Sequence, residues 1–164
     1  MSWVGFVLEA MNDFQDERVE GLAPEDEDLQ QHIIAAIHNK QPIPFEFEVD
    51  QGGGKKRTLD VNLKWPTLRD ESNISYLTAQ YLGGVAPEAT MLIDQYTARG
   101  RAALEVLAVG PFPQWLTPYI QKIKDEQGRD TLKPQLEEFP SREVMRAFYR
   151  EWLELYNKFQ GDCF

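Results

Sequence analysis

Residues 44–65 read PFEFEVDQGGGKKRTLDVNLKW, and this stretch decides the fold class. Its two halves alternate apolar and polar side chains, with the apolar positions at Phe45, Phe47, Val49, Leu59, Val61, Leu63 and Trp65. A period of two residues is typical of β-strands with one buried face. The pattern predicts an antiparallel β-hairpin over 44–65, with a flexible connection at 51–57 that is longer than a tight turn. Because a two-stranded ribbon is marginal alone, it must pack on other elements.

On both sides of the hairpin the apolar residues recur at a helical period. The predicted helices cover residues 3–20, 24–39, 71–83, 117–128 and 140–160. Proline at a first helical position and glycine just past a last one set several of these bounds. The sequence therefore predicts a mainly helical α+β fold, in which five or six helices carry one packed hairpin. It is expected to form a single domain over 1–164, with acidic N-terminal helices at 2–39 and a helical remainder at 71–160.

Residues 87–109 fit two interpretations. As one helix, they gather their apolar side chains within about a third of the circumference. Gly100 lies on that apolar face, where a small residue permits close approach of another element. The alternative interpretation is two strands, at 91–96 and 102–108. It predicts a second hairpin and a four-stranded antiparallel sheet with flanking helices. We expect the helix, because one amphipathic pattern explains the whole segment.

The negative charge of the chain is concentrated near its start. The net charge is −10, and residues 1–30 alone carry −8, from nine carboxylates against the single base Arg18. The nine are Glu9, Asp13, Asp16, Glu17, Glu20, Glu25, Asp26, Glu27 and Asp28. On a helix, four of them line one narrow stripe, at a charge spacing comparable to that of a nucleic-acid strand.

A block of one sign sets the field that an approaching partner meets. We therefore predict that these nine carboxylates bind a basic protein, such as a toxin or a nucleic-acid-binding enzyme. The alternative is a solvated acidic face with no partner, because helix N-termini favour acids for local reasons. Direct nucleic-acid binding is disfavoured, since the basic residues are scattered along the chain.

The last helix carries a broad aromatic face. Its apolar residues repeat at spacings of 3, 4, 3 and 4, at Met145, Phe148, Trp152, Leu155 and Phe159. Such a stripe most often belongs to the core of the domain. The alternative is a second interface, for a homodimer or an assembly partner, because aromatic residues and Met are enriched in interface cores.

The sequence contains no strong catalytic, metal-binding or nucleotide-binding motif. His32 and His38 are six residues apart, which places them on different sides of a helix and predicts no shared metal site. The glycines at 52–54 join two predicted strands and lack the phosphate-loop pattern. No serine or cysteine nucleophile with a histidine partner stands out. We expect no cofactor and no catalysis, although a carboxylate-dependent enzyme without an identifiable site stays an alternative.

Composition indicates the cellular compartment and the class of protein to expect. The only cysteine, Cys163, cannot form an intramolecular disulfide, which favours a reducing, cytoplasmic setting. The N-terminal segment lacks the basic start of a signal peptide, and no apolar run is long enough to span a membrane. The sequence thus predicts a small acidic binding protein that inhibits or escorts a basic macromolecule. Immunity proteins, antitoxins and phage-encoded inhibitors of the anti-CRISPR kind, which mimic nucleic acid, fit this description.

Overall fold

A computed structural model describes residues 24–159. Within this range the chain forms four α-helices and two antiparallel hairpins, so the α+β class is confirmed. In chain order the elements are α1 (Pro24–Asn39), β1 (Ile43–Asp50), β2 (Lys56–Leu63), α2 (Leu68–Tyr81), α3 (Leu92–Leu107), β3 (Ile120–Lys124), β4 (Asp130–Pro134) and α4 (Arg142–Phe159). Short 3-10 turns occupy Pro87–Ala89 and Thr117–Tyr119. None of these helices is long and apolar enough to cross a membrane.

The first hairpin forms as the alternation predicts. Phe45 pairs with Val61 and Phe47 with Leu59, and every second residue of β1 is buried. The connection is shorter than predicted, because β2 already begins at Lys56. Gly52, Gly53 and Gly54 all have a positive φ, which a residue with a Cβ adopts at a cost. This glycine run lets the chain reverse over 51–55.

The second hairpin corrects the sequence prediction. Residues 117–128 do not form a helix; a single 3-10 turn leads into β3, which pairs with β4. The Asp125 carboxylate accepts hydrogen bonds from the backbone N–H groups of Gln127 and Arg129 and so closes the turn. Gly128, with φ of +78°, lies inside that turn rather than at the end of a helix. The prediction of one hairpin was therefore wrong, as was the helix at 117–128; the described residues form four helices, and the helix predicted at 3–20 lies outside them.

The segment 87–109 adopts the helical interpretation over most of its length. α3 runs from Leu92 to Leu107, so the alternative hairpin there, and the four-stranded sheet built on it, were wrong. The described strands instead form two separate two-stranded sheets. As predicted for Gly100, another element approaches closely: a Cβ at this position would lie 2.9 Å from the Met145 carbonyl carbon on α4.

The core lies between the first hairpin and helices α3 and α4. The Phe45 ring meets those of Phe148 and Trp152 edge to face, with centroids 5.6 Å and 5.9 Å away. The predicted aromatic stripe is buried here: Met145, Phe148, Trp152, Leu155 and Phe159 are at most 8% exposed. These five side chains pack inside the chain and leave almost no surface for a partner.

Candidate functional site

An acidic groove lies between α1, β1 and α4. Its volume is about 570 Å³, and each of the three elements contributes a carboxylate. The ionisable residues that line it are Asp28 and His32 of α1, Glu46 of β1, and Glu151, Glu154 and Lys158 of α4. Four carboxylates against one lysine give the groove a negative balance. Apolar side chains, among them Leu29 and Phe45, form its walls.

Local periodicity explains how each carboxylate reaches the groove. Asp28 and His32 are four residues apart on α1 and therefore share one face of that helix. On α4 the same holds for Glu151 and Glu154, which are three residues apart. Glu46 lies on the solvent side of β1, opposite the face that packs in the core.

Glu151 connects the groove to the hairpin. Its Oε2 atom accepts a hydrogen bond of 2.7 Å from the backbone N–H of Glu48. Burial raises the pKa of the Glu151 carboxyl above its ordinary value, and the nearby carboxylates of Glu48 and Glu154 add to this rise. The hydrogen bond from Glu48 acts in the opposite direction. A cation placed in the groove would relieve the repulsion between these carboxylates.

The predicted acidic residues are only partly located. Asp28 is exposed and lines the groove, and Glu27 beside it is half-buried. Glu25 and Asp26 belong to the first turn of α1, but their side chains lie outside the described part of the chain. The remaining five, Glu9, Asp13, Asp16, Glu17 and Glu20, lie outside the described residues altogether.

Sequence reasoning missed Glu46, Glu151 and Glu154. The alternation along β1 indicates that Glu46 faces outward, and the heptad pattern of α4 places Glu154 away from the core. Neither pattern tells which exposed faces meet across the fold. The juxtaposition with Asp28 is a tertiary feature, since α1 and α4 are more than 100 residues apart in the chain.

Two other polar clusters lie outside the acidic groove. The buried Glu105 carboxylate on α3 accepts hydrogen bonds from the Tyr81 hydroxyl, from Arg101 Nε at 3.2 Å and from the Leu136 N–H at 2.8 Å. Nearby, Lys64 Nζ lies 2.9 Å from the buried carboxylate of Asp70. Burial alone would raise the pKa of Asp70, but hydrogen bonds from Thr67 and the charge of Lys64 lower it below its ordinary value.

A further groove, about 890 Å³ in volume, runs between the end of α1, the segment 64–68 and Tyr156. Its walls include the Trp65 and Tyr156 rings, whose centroids are 5.1 Å apart. The Tyr156 hydroxyl donates a hydrogen bond to Glu71. Lys64 and Asp70, which also line this groove, pair with each other.

No protein-family model, curated protein or solved structure matches the chain. The geometry of the described residues therefore carries the functional argument alone. Across 24–159, no group of three or more His, Cys, Asp and Glu side chains is placed to hold a metal ion.

Proposed function

We propose that the protein binds a basic macromolecule through the acidic groove and the acidic N-terminal segment, and thereby inhibits or escorts it. One observation carries the proposal: Asp28, the last carboxylate of the acidic segment, lines the same groove as Glu46, Glu151 and Glu154. Asp28 thus belongs both to the acidic stretch of the sequence and to a surface built from distant parts of the chain. The partner class is a basic protein, such as a toxin or a nucleic-acid-binding enzyme.

The chemistry of the groove suits lysine and arginine side chains. Carboxylates accept hydrogen bonds from guanidinium and ammonium groups, and a guanidinium can bind a carboxylate through two bonds at once. The apolar walls can pack against the methylene stems of such side chains. A row of carboxylates also presents a basic protein with the charge pattern it uses to bind phosphates, which is how nucleic-acid mimicry would operate.

Two alternatives have less support. Association through Met145, Phe148, Trp152, Leu155 and Phe159 would require these side chains to leave the core in which they are packed. A carboxylate-dependent enzyme would need two acidic groups held at a fixed separation around a substrate. In the acidic groove Glu46 and Glu154 are exposed, and exposed side chains hold such a geometry poorly.

The test reverses charge inside the groove and compares it with an equal reversal elsewhere. One variant carries Asp28→Lys, Glu46→Lys and Glu154→Lys; the control carries Glu88→Lys, Glu137→Lys and Glu138→Lys, three exposed residues that do not line the groove. Both variants change the net charge by the same amount. The probe is a fluorescent peptide rich in arginine and lysine, followed by proteins captured from the host lysate.

We expect the groove variant to weaken binding of the peptide at least tenfold and the control variant to weaken it about twofold. Binding should also weaken as salt shortens the Debye length from about 10 Å at 0.1 M to about 3 Å at 1 M. Equal losses in both variants would show that net charge alone attracts the peptide, and no loss in either would overturn the proposal.

A further inference from the structure

A small pocket separate from the acidic groove lies between α2, α3 and the second hairpin. Its volume is about 370 Å³. The ionisable groups that line it are Lys64, Asp70, Tyr76, Tyr81, Glu105 and Lys133. Tyr76 and Ile123, both exposed, lie on its solvent side. The pocket is thus open to a small molecule.

Lys133 on β4 has an unusual environment in this pocket. Its Nζ atom donates a hydrogen bond of 2.7 Å to the backbone carbonyl of Val106, a neutral acceptor. Both buried carboxylates that line the pocket are engaged elsewhere. Asp70 forms an ion pair with Lys64. Glu105 accepts hydrogen bonds from Tyr81, Arg101 and the Leu136 N–H.

The consequence is a lysine whose positive charge is poorly compensated. Burial, together with the smaller effect of the Lys64 charge, lowers the pKa of Lys133 to about 8, and the Asp70 carboxylate acts in the opposite direction. At pH 8 about half of such amines are unprotonated, against roughly 0.4% for a lysine with the ordinary pKa of about 10.4. An unprotonated amine is a nucleophile, and desolvation beside another cation is a known way to produce one.

We propose that Lys133 forms an imine with a small aldehyde or ketone that enters this pocket. The amine lone pair attacks the carbonyl carbon, and the electrons of the C=O bond move to oxygen, which takes up a proton. Loss of one water from this adduct gives the C=N bond, so that amine and carbonyl compound become imine and water. The hydrogen bond to Val106 holds the nitrogen in place while its lone pair attacks.

The test measures which of the eight lysines reacts first. The full chain is incubated with propanal and cyanoborohydride, which reduces each imine to a stable secondary amine, and the modified positions are followed by peptide mass spectrometry. Lys122, an exposed lysine on β3 of the same hairpin, is the internal control. The wild-type chain provides the comparison, so the result does not depend on the folding of a variant.

We expect Lys133 to be modified at least tenfold faster than Lys122 at pH 7.5, with a rate that rises around pH 8. Lys64→Met should slow this reaction at pH 7.5, because it removes the neighbouring cation, while Lys122→Met should leave it unchanged. If Lys133 reacts no faster than Lys122, or only after the chain is unfolded, the proposal is wrong. Binding of the basic peptide at the acidic groove is an independent readout of the proposed function.

Discussion

At the scale of single residues, Gly100 shows how one missing side chain fixes the contact between two helices. A glycine inside a helix costs about 1 kcal/mol relative to alanine. At position 100 that cost is offset, because the backbone of α4 at Met145 occupies the space that a Cβ would need. The position of Gly100 on the apolar face of its helix made this close approach predictable from the sequence.

We predict that Gly100→Ala destabilises the protein by about 2 kcal/mol, despite the better helix propensity of alanine, because overpacking forces the backbones apart. Chemical denaturation followed by tryptophan fluorescence measures the change in the free energy of unfolding. Ser75→Ala, at an exposed position on α2, is the control and should change stability by less than about 0.5 kcal/mol. If Gly100→Ala left the free energy of unfolding unchanged, α3 and α4 would be able to move apart without losing stability.

Other residues with important roles gave no signal in the sequence. Lys133 is an ordinary charged residue there, and Glu105, although it lies within the apolar run 102–109, shows no sign of its hydrogen-bond partners in the sequence. Their environments arise only when α2, α3 and β4 come together. Sequence periodicity identifies the apolar face of an element well, but it does not identify a polar residue that a tertiary contact covers.

At the scale of elements, the two hairpins differ in how much of their pattern the sequence reveals. β1 alternates buried and exposed residues along its whole length, which made it recognisable. In β3 four of the five residues are exposed, so no alternation marks it as a strand. Its isoleucines, Ile120 and Ile123, are three residues apart and imitate a helical period. The helix predicted at 117–128 followed from this spacing together with Thr117 and Pro118, a typical helix start, and Gly128 as its expected end.

The turn of the second hairpin can be tested at Gly128, which has a φ of +78° and open space around it. We predict that Gly128→Ala weakens this hairpin by about 1 kcal/mol, because the left-handed conformation is strained for a residue with a Cβ. Gly128→Asn should destabilise the hairpin less, since asparagine tolerates this conformation better. Hydrogen exchange of the β3 and β4 amides measures the effect. Equal exchange in both variants would indicate that another feature holds the turn.

At the scale of the whole molecule, tyrosines link the helices to one another. The Tyr81 hydroxyl of α2 donates to Glu105 of α3, and the Tyr156 hydroxyl of α4 donates to Glu71 of α2. The Tyr149 ring of α4 lies 5.2 Å from that of Tyr96 on α3. Each pair among α2, α3 and α4 thus shares a contact made by a tyrosine.

This arrangement predicts loss of stability in alkaline solution. Burial and the hydrogen bond to Glu71 raise the pKa of Tyr156 to about 12, and burial also raises the pKa values of Tyr81 and Tyr149. A raised folded-state pKa stabilises the fold below the unfolded value of about 10, and this contribution is lost as the pH rises toward 12. We therefore expect the free energy of unfolding to fall above pH 10.

Denaturation at successive pH values measures this loss, and tyrosinate absorbance reports ionisation in the folded chain. Tyr156→Phe is the matched variant: it should be less stable at pH 7 and should show a shallower decline above pH 10. A wild-type chain whose six tyrosines ionise together near pH 10 would contradict the prediction.

The charge distribution along the chain was partly predictable from the sequence. The acidity of residues 1–30 follows from counting, and the outward direction of Glu46 follows from strand alternation. The groove itself did not follow, because it depends on where α1 and α4 lie beside β1. The sequence alone could therefore suggest a class of partner, but it could not locate the groove that we propose as the binding surface.

The hydrogen bond between Glu151 and Glu48 has a consequence for self-assembly. Strands with unpaired edges are templates on which other chains can add, the first step toward aggregation. On β1, the backbone N–H of Glu48 already donates a hydrogen bond to Glu151. On β2, the carbonyl of Asn62 already accepts a hydrogen bond from the N–H of Val109. A strand from another copy must break one of these bonds to extend the first sheet there.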